Sequence, residues 1–445
     1  MHILIATDAF PPVCGGSGWS SYELARGLRA RGHQVTTVQP RPGTPAGVRE
    51  RTFDGLRVLE FGAAAPPIPY VRNYFKNERL HARLATFLRD VISRERIDLV
   101  HGQHVLTCLP SIAAAQRAAV PAVCTVRDYW PVCYWSDLIH TDEAGLPERG
   151  REDVRAPARG LQGVARGADG SLCPGCSAGM MTQCIRPRAG ALWPAALPMI
   201  PYMRANLARK RGGLARADAI IAVSGRMAAD LRARAPEILR TRLEVIPNAV
   251  NVAELRAAAH ATAAPMAGPY ALYLGKLAPN KGSAHLIPTV EKAALDWPLV
   301  IAGTGPEHER IAAEARRSPR DVRLIGWIDQ PSAAAWLAHA SMLIFPSRGP
   351  ESLSRVLIEA SALGVPVAAM DTGGTSDIIL DDQTGLLSAT AGELADDVRK
   401  LRADGELRAR LGAAARTHVE RRFDAPAVVG RIEALYSELL AGRSR

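Results

Sequence analysis

Residues 341–374 read SMLIFPSRGPESLSRVLIEASALGVPVAAMDTGG. Two short apolar runs, SMLIFPS and PVAAMDTGG, bracket a stretch whose apolar residues fall at helical spacing. Leu353, Val356, Leu357, Ala360 and Gly364 form one stripe. Ser352 or Ser354 is expected to cap this helix, and Gly364 with Pro366 to stop it. Strand, helix, strand, with no polar alternation in the strands, is the pattern of a parallel sheet covered on both faces. The helix also carries two carboxylates eight residues apart, Glu351 and Glu359.

The same pattern extends outward in both directions. The first half holds HILIATD, QVTTVQP, DLVHGQH, AVCTVRD and AIIAVS; the second adds YALYLGKL, PLVIAGTG and VRLIGWI to the two runs above. Two such sets predict an α/β protein of two Rossmann-like, doubly wound domains facing across a cleft. The join falls near EVIPNAVNVAELRAAAHATAAPMAGPY. We place the first domain at residues 1–250, the second at 251–425, and a C-terminal helix at 426–445 that packs back on the first.

In open α/β sheets ligands sit beyond the carboxyl ends of the strands. Here those ends carry the loop DAFPPVCGGSGWSSYELARGL with Gly15 and Gly16, then His101 and His104, Arg127 and Asp128, Ser224, Lys276, GTGPE and PSRGPES. If the segment is mostly helical, Glu351 and Glu359 stand about 12 Å apart. That is too far for a carboxylate pair acting on one atom, which needs about 5 Å for retention and at most about 9.5 Å for inversion. The two therefore serve different parts of one long ligand, or only one of them matters. Lys276 and Lys281 can pair with a diphosphate. The helix N-terminus at Ser352, Leu353 and Ser354 offers free N–H groups to phosphate or sugar oxygens. A carboxylate at Glu359 suits ribose hydroxyls.

Over nearly its whole length the chain resembles the retaining glycosyltransferases of family 4, which have the GT-B architecture. The resemblance rests on GG in HILIATDAFPPVCGGSG, on GKLAPNKG with Lys276 where arginine is usual, and on PNAVN with Asn248. GTGPE and the spaced glutamates complete it. It implies transfer of a sugar, with retention, from a nucleotide-sugar donor to a hydroxyl of a glycan or lipid-linked acceptor, with no cofactor required. It places Glu359 on the ribose and Glu351 near the transferred sugar, beside the N–H groups of Ser352 to Ser354. Many relatives have His before Asp in the acceptor-side turn. Here TVRDYW puts Arg127 before Asp128, a group that holds phosphate but transfers no proton. Arg127 and Asp128 join Glu351 as expected catalytic groups, with His101 and His104 on the acceptor side. Another GT-B activity, such as a sugar-nucleotide epimerase or a phosphorylase, and a degenerate nucleotide-sugar-binding protein are the competing readings.

Charge is uneven. Residues 1–250 hold 33 Lys and Arg against 21 Asp and Glu, whereas the whole chain is +11. The basic first half predicts an anionic partner, such as a phospholipid surface. LWPAALPMIPYMRANLARKRGG, with Trp193, Met199, Ile200 and Tyr202 beside Arg204, Arg209, Lys210 and Arg211, is the expected contact; a helix covering the first domain's core is the alternative. Aromatics are few and no nucleic-acid module is visible, so no nucleic-acid partner is expected. A start at MHILIATD, and an apolar stretch broken by Pro194, Pro198 and Pro201, predict a cytoplasmic protein, peripheral on the inner face of the membrane at most. An insertion at about 129–215 contains Cys133, Cys173, Cys176 and Cys184, expected to hold a structural zinc or an iron–sulfur cluster. Cys14, Cys108 and Cys124 lie near strands and are not expected as ligands.

Overall fold

The computed structural model describes residues 1–66, 74–136, 138, 173 and 175–443. The first sheet contains β1 (His2–Ala6), β2 (Gln34–Pro42), β3 (Gly47–Phe53), β4 (Leu56–Ala63), β5 (Leu99–Gly102), β6 (Ala122–Val126), β7 (Ala219–Ala222) and β8 (Leu243–Val245). Their order is β3-β4-β2-β1-β5-β6-β7-β8, all parallel except the β3–β4 hairpin. The second contains β9 (Ala271–Leu274), β10 (Leu299–Ala302), β11 (Val322–Gly326), β12 (Met342–Phe345), β13 (Val367–Met370) and β14 (Leu386–Ser388), parallel in the order β11-β10-β9-β12-β13-β14.

Strands β3, β4, β8 and β14 were not among the sequence expectations. β8 and β14 are three-residue edge strands, too short for a pattern. β3 is mostly exposed and reads GVRERTF. Its turn was legible all the same: Asp54 and Gly55 both have positive φ, as a two-residue Asp-Gly hairpin requires.

Each sheet reverses winding direction once. In the first, the chain runs from β1 outward to β2 and β4, then returns to lay β5 on the other side of β1. In the second it runs β9, β10, β11, then places β12 against the opposite edge of β9. A crevice opens beyond the carboxyl ends of the two strands at each switch point, because the connecting helices leave in opposite directions.

The helices that matter are α1 (Gly16–Ala30) after β1, α2 (Val105–Ala118) after β5, α3 (Ala178–Ala189) and α4 (Met199–Leu214) in the insertion, and α5 (Gly225–Arg234) after β7. Beyond PNAVN come α6 (Val252–His260), α7 (Arg355–Leu363) and α8 (Ala425–Arg443). Helix α6 packs against α7, in the second domain. The chain then crosses back where Val250 bridges Asp424, and α8 lies on the first sheet. Val428, Val429, Ile432, Leu435 and Tyr436 share one core with Ile3, Ile5 and Leu28.

The insertion's apolar residues turn inward. Trp193, Met199, Ile200 and Tyr202 pack around Met181, Ile185, Met203 and Leu207. Arg209 pairs with Glu78 at 2.8 Å and Arg211 with Glu237 at 2.9 Å. Lys210 is buried with its ammonium about 6 Å from the Trp130 and Tyr134 rings. The apolar residues of this segment therefore pack inward, while Arg204 and Arg209 remain exposed. No helix among the described residues is long and apolar enough to cross a membrane. The polar stretch at 140–170 lies outside the described residues.

Candidate active site

The second sheet's switch point brings together the loop after β9, which carries Lys276 and Lys281, and the loop after β12, which carries Ser347 to Glu351. One carbonyl joins them. Asn280 O accepts from Arg348 N (3.2 Å), Gly349 N (2.9 Å) and the Ser347 hydroxyl (3.2 Å). The approach is so close that a Cβ on Gly282, at φ +64°, would overlap the Pro346 carbonyl. Lys281 Nζ then donates to Glu351 Oε1 at 2.7 Å, and the Ser347 hydroxyl reaches the same oxygen at 2.5 Å. Glu351 is buried, and Gly374 N donates to its carbonyl at 2.6 Å. Arg348 lies half-buried beside His285, and burial lowers its pKa. Lys276 is exposed on its loop, which is braced by the Tyr273 hydroxyl donating to Lys276 O (2.8 Å).

Glu351 to Ser354 are not helical; α7 begins at Arg355 and ends at Gly364, φ +76°. The helical rise therefore does not set the spacing of the two glutamates. Ser354 is the N-cap residue but makes no side-chain capping bond, which corrects the expected serine cap. Leu353 is buried in the core, anchoring the strip. Glu359 accepts from Arg355 Nε at 2.7 Å, and the same arginine donates to Ala249 O at 3.2 Å. Across the cleft, a Cβ on Gly16 would stand 3.5 Å from Arg355 Cβ, whereas Gly15 faces open space. The start of α1 thus meets the start of α7.

The first sheet's switch point gathers a different set. His104 stands between two carboxylates, Nδ1 3.2 Å from Asp8 and Nε2 3.2 Å from Asp128. Burial acts to lower the His104 pKa, but the hydrogen bond and charge of Asp8, with the charge of Asp128, outweigh it and raise it. Among the described residues, Asp8 Oδ1 and both polar atoms of the Gln103 side chain are buried with no partner. Polar groups left unpaired at a crevice are available to a ligand hydroxyl.

Two expected site residues fall elsewhere. His101 is fully buried, bonded to the Tyr436 hydroxyl (2.5 Å) and to Thr125 Oγ1 (2.7 Å). Burial holds it neutral, with Arg127 adding to the effect. It fastens α8 to the first sheet. Arg127 is likewise buried, its pKa brought down to about 10 by burial. It donates to Asn248 Oδ1 (2.9 Å) and Gln103 O (3.0 Å), and lines a small cavity with Val428 and Ile432 under α8. Arg127 grips PNAVN from the first domain as Arg355 grips it from the second. Ser224 caps α5 by accepting from Met227 N, while Asp377 of the second domain accepts from Gly225 N at 2.7 Å.

Arg348, Arg355, Asp8, Gln103 and the Gly373–Gly374 turn were not singled out in the sequence. Each was visible in a quoted motif, but which way it points depends on the neighbouring strand. Cys133, Cys173, Cys176 and Cys184 line one small cavity. Among the described residues no three His, Cys, Asp or Glu side chains stand at metal-holding distance.

Two doubly wound α/β domains, with a cationic crevice at one switch point and a carboxylate–imidazole crevice at the other, have the GT-B architecture. Residues 15–249 match the family described as "Glycosyl transferase 4-like domain" and residues 268–404 that described as "Glycosyl transferases group 1". The chain belongs to this glycosyltransferase family. It is 32% identical over 206 residues to the phosphatidyl-myo-inositol mannosyltransferase of Mycobacterium leprae, covering 45% of this chain and 54% of that protein. The match thus spans about half the length of that relative. It is 26% identical over 449 residues to the glycogen synthase of Mycobacterium tuberculosis, covering 95% and 91%. Among solved structures, sucrose-phosphate synthase from Thermosynechococcus elongatus superposes with TM-score 0.66 at 20% identity over 99% and 100% of the two chains. The Anabaena HepE protein in complex with UDP and glucose does so at 0.63 and 17%, over 98% and 99%. These likenesses establish a shared fold.

Proposed function

We propose that the chain transfers a glycosyl group, with retention, from a nucleoside-diphosphate sugar to a hydroxyl of a glycan or lipid-linked acceptor. The observation that carries this reading is the pairing of loops at the second switch point. Lys281, Arg348 and Lys276 lie on loops bonded together through Asn280, next to the buried Glu351 and the N-terminus of α7. Cations fixed at that place stabilise the negative charge that develops on a departing diphosphate. Lys276 and Lys281 hold the diphosphate, Arg348 adds a third positive group, and Glu359 in α7 receives the ribose. The sugar lies towards Glu351 and the strip Ser352–Ser354, opposite Gly15 and Gly16. No carboxylate pair at glycosidase spacing is needed. The departing phosphate takes the acceptor proton, and Asp8, Gln103, His104 and Asp128 orient the acceptor hydroxyl. That a relative is named for phosphatidyl-myo-inositol, and that the first half is strongly basic, support an acceptor borne on an anionic lipid.

The test is thermal stabilisation by a panel of nucleotide sugars, followed by assay for released nucleoside diphosphate in the presence of lipid and glycan acceptors. Stabilisation by one donor and release that depends on acceptor are expected. A panel in which no nucleotide sugar shifts the melting temperature would overturn the reading.

A further inference from the structure

The insertion brings four of the seven cysteines to one place. Cys133 comes from the turn after β6, Cys173 and Cys176 from one loop, and Cys184 from α3; all four line a single cavity with Tyr134 and Met203. Cys133 is 40 residues from Cys173 along the chain, so their meeting is a product of the fold. Cys14, Cys108 and Cys124 lie apart, in the glycine loop and the core of the first sheet. Backbone bonds hold the frame: Cys133 N to Tyr129 O (2.8 Å), Cys173 N to Leu138 O (2.8 Å), and Arg234 to Cys173 O (2.8 Å). None of the four forms a disulfide.

We propose that Cys133, Cys173, Cys176 and Cys184 form a four-thiolate zinc site that fastens the insertion to the acceptor-side turn. As they stand, the Cys173 and Cys176 thiols donate to the carbonyls of Gly175 (3.4 Å) and Val132 (3.7 Å). Because no three of the four thiols stand at metal-holding distance as they are, binding requires rotation about the Cα–Cβ bonds to turn them from these carbonyls into the cavity. Binding one zinc ion releases four protons to solvent and leaves a complex of charge −2. Arg234 donates to Cys173 O at 2.8 Å and the Lys210 ammonium lies 5.9 Å from the Tyr134 ring, so cations stand close to the site. A set of sulfur ligands alone selects zinc or an iron–sulfur cluster. Through Cys133 the ion would fix the turn Asp128–Tyr134 and so the position of Asp128 beside His104.

The test uses the full chain, expressed with zinc and iron both supplied and purified anaerobically without chelator. Elemental analysis is expected to find about one zinc per chain. Cys173→Ser and Cys176→Ser are expected to lose it and Cys14→Ser to retain it. Titration of the parent protein with a mercurial should release zinc in step with about four thiols and lower the melting temperature. This readout holds even where a serine variant fails to fold. Less than about a tenth of an equivalent of zinc after incubation with Zn²⁺ and reductant would overturn the site. So would zinc retained in both serine variants. Iron with acid-labile sulfide would overturn the choice of metal. Metal content is independent of sugar transfer, so failure here leaves the proposed reaction standing.

Discussion

Replacing Lys281 by methionine separates the observed ion pair of this ammonium group with Glu351 from its proposed hold on the donor diphosphate. In the donor-free protein Lys281 lies 2.7 Å from Glu351 Oε1, and its side chain is 35% exposed against 9% for Glu351. At that distance the attraction is about 6 kcal/mol for an effective dielectric near 20, before any loss of hydration is counted. The exposed side of Lys281 recovers water when the pair breaks, leaving a net value of about 1.5–3 kcal/mol for a charged hydrogen bond. In the proposed donor complex the same ammonium turns to the diphosphate. Lys281→Met should therefore raise the donor Kd by about 10- to 150-fold. It should also cost about 1–3 kcal/mol of stability, because Glu351 keeps only the Ser347 hydroxyl. Adding Glu351→Gln to that variant should recover much of the stability, since a neutral amide needs no cation, but none of the donor affinity. Titration calorimetry with the stabilising nucleotide sugar, and thermal denaturation of the same three proteins, read both quantities. A Kd within about twofold of the parent in Lys281→Met refutes the placement of the diphosphate. Donor affinity restored by Glu351→Gln refutes the assignment of separate roles.

Tyr436→Phe removes the bond to buried His101 and should cost about 1–3 kcal/mol of stability while leaving donor Kd unchanged, because α8 holds the first sheet and not the crevice; a changed Kd with unchanged melting temperature would reverse that assignment. The His104 pKa is raised on folding, so its contribution is fully present below its ordinary value of about 6.5 and is lost as pH rises through the higher folded value. The stability gap between parent and His104→Gln should shrink as pH climbs above that value; a gap that widens with pH would contradict the sandwich between Asp8 and Asp128. Vesicle flotation should show recovery on anionic vesicles that falls with salt and is unaffected by Trp193→Ala, since that side chain packs inward; equal recovery on neutral and anionic vesicles would remove the electrostatic partner.

The fold class was legible because it is written in local chemistry. Apolar runs of strand length, helical stripes such as Leu353–Ala360, and stops such as Gly364 depend on near neighbours alone, and they recur often enough to reveal two sheets. The edge strands β3, β8 and β14 were not, because three residues carry no period and β3 faces water. The donor-side groups were legible for a related reason: glycine turns and lysines follow their strands directly, and strand ends are where ligands bind. Direction was not. Whether Arg127 points to the cleft or into the fold is set by Asn248, 121 residues away, and by α8 arriving from the far end of the chain. His101 and His104 lie three residues apart at one strand end with the same apparent promise. Tyr436 buries the first, while Asp8 and Asp128 hold the second at the crevice. The order of strands in each sheet, and with it the two switch points, is a matter of long-range pairing that no local pattern encodes. That pairing brings Lys281 to Glu351 and His104 to Asp8.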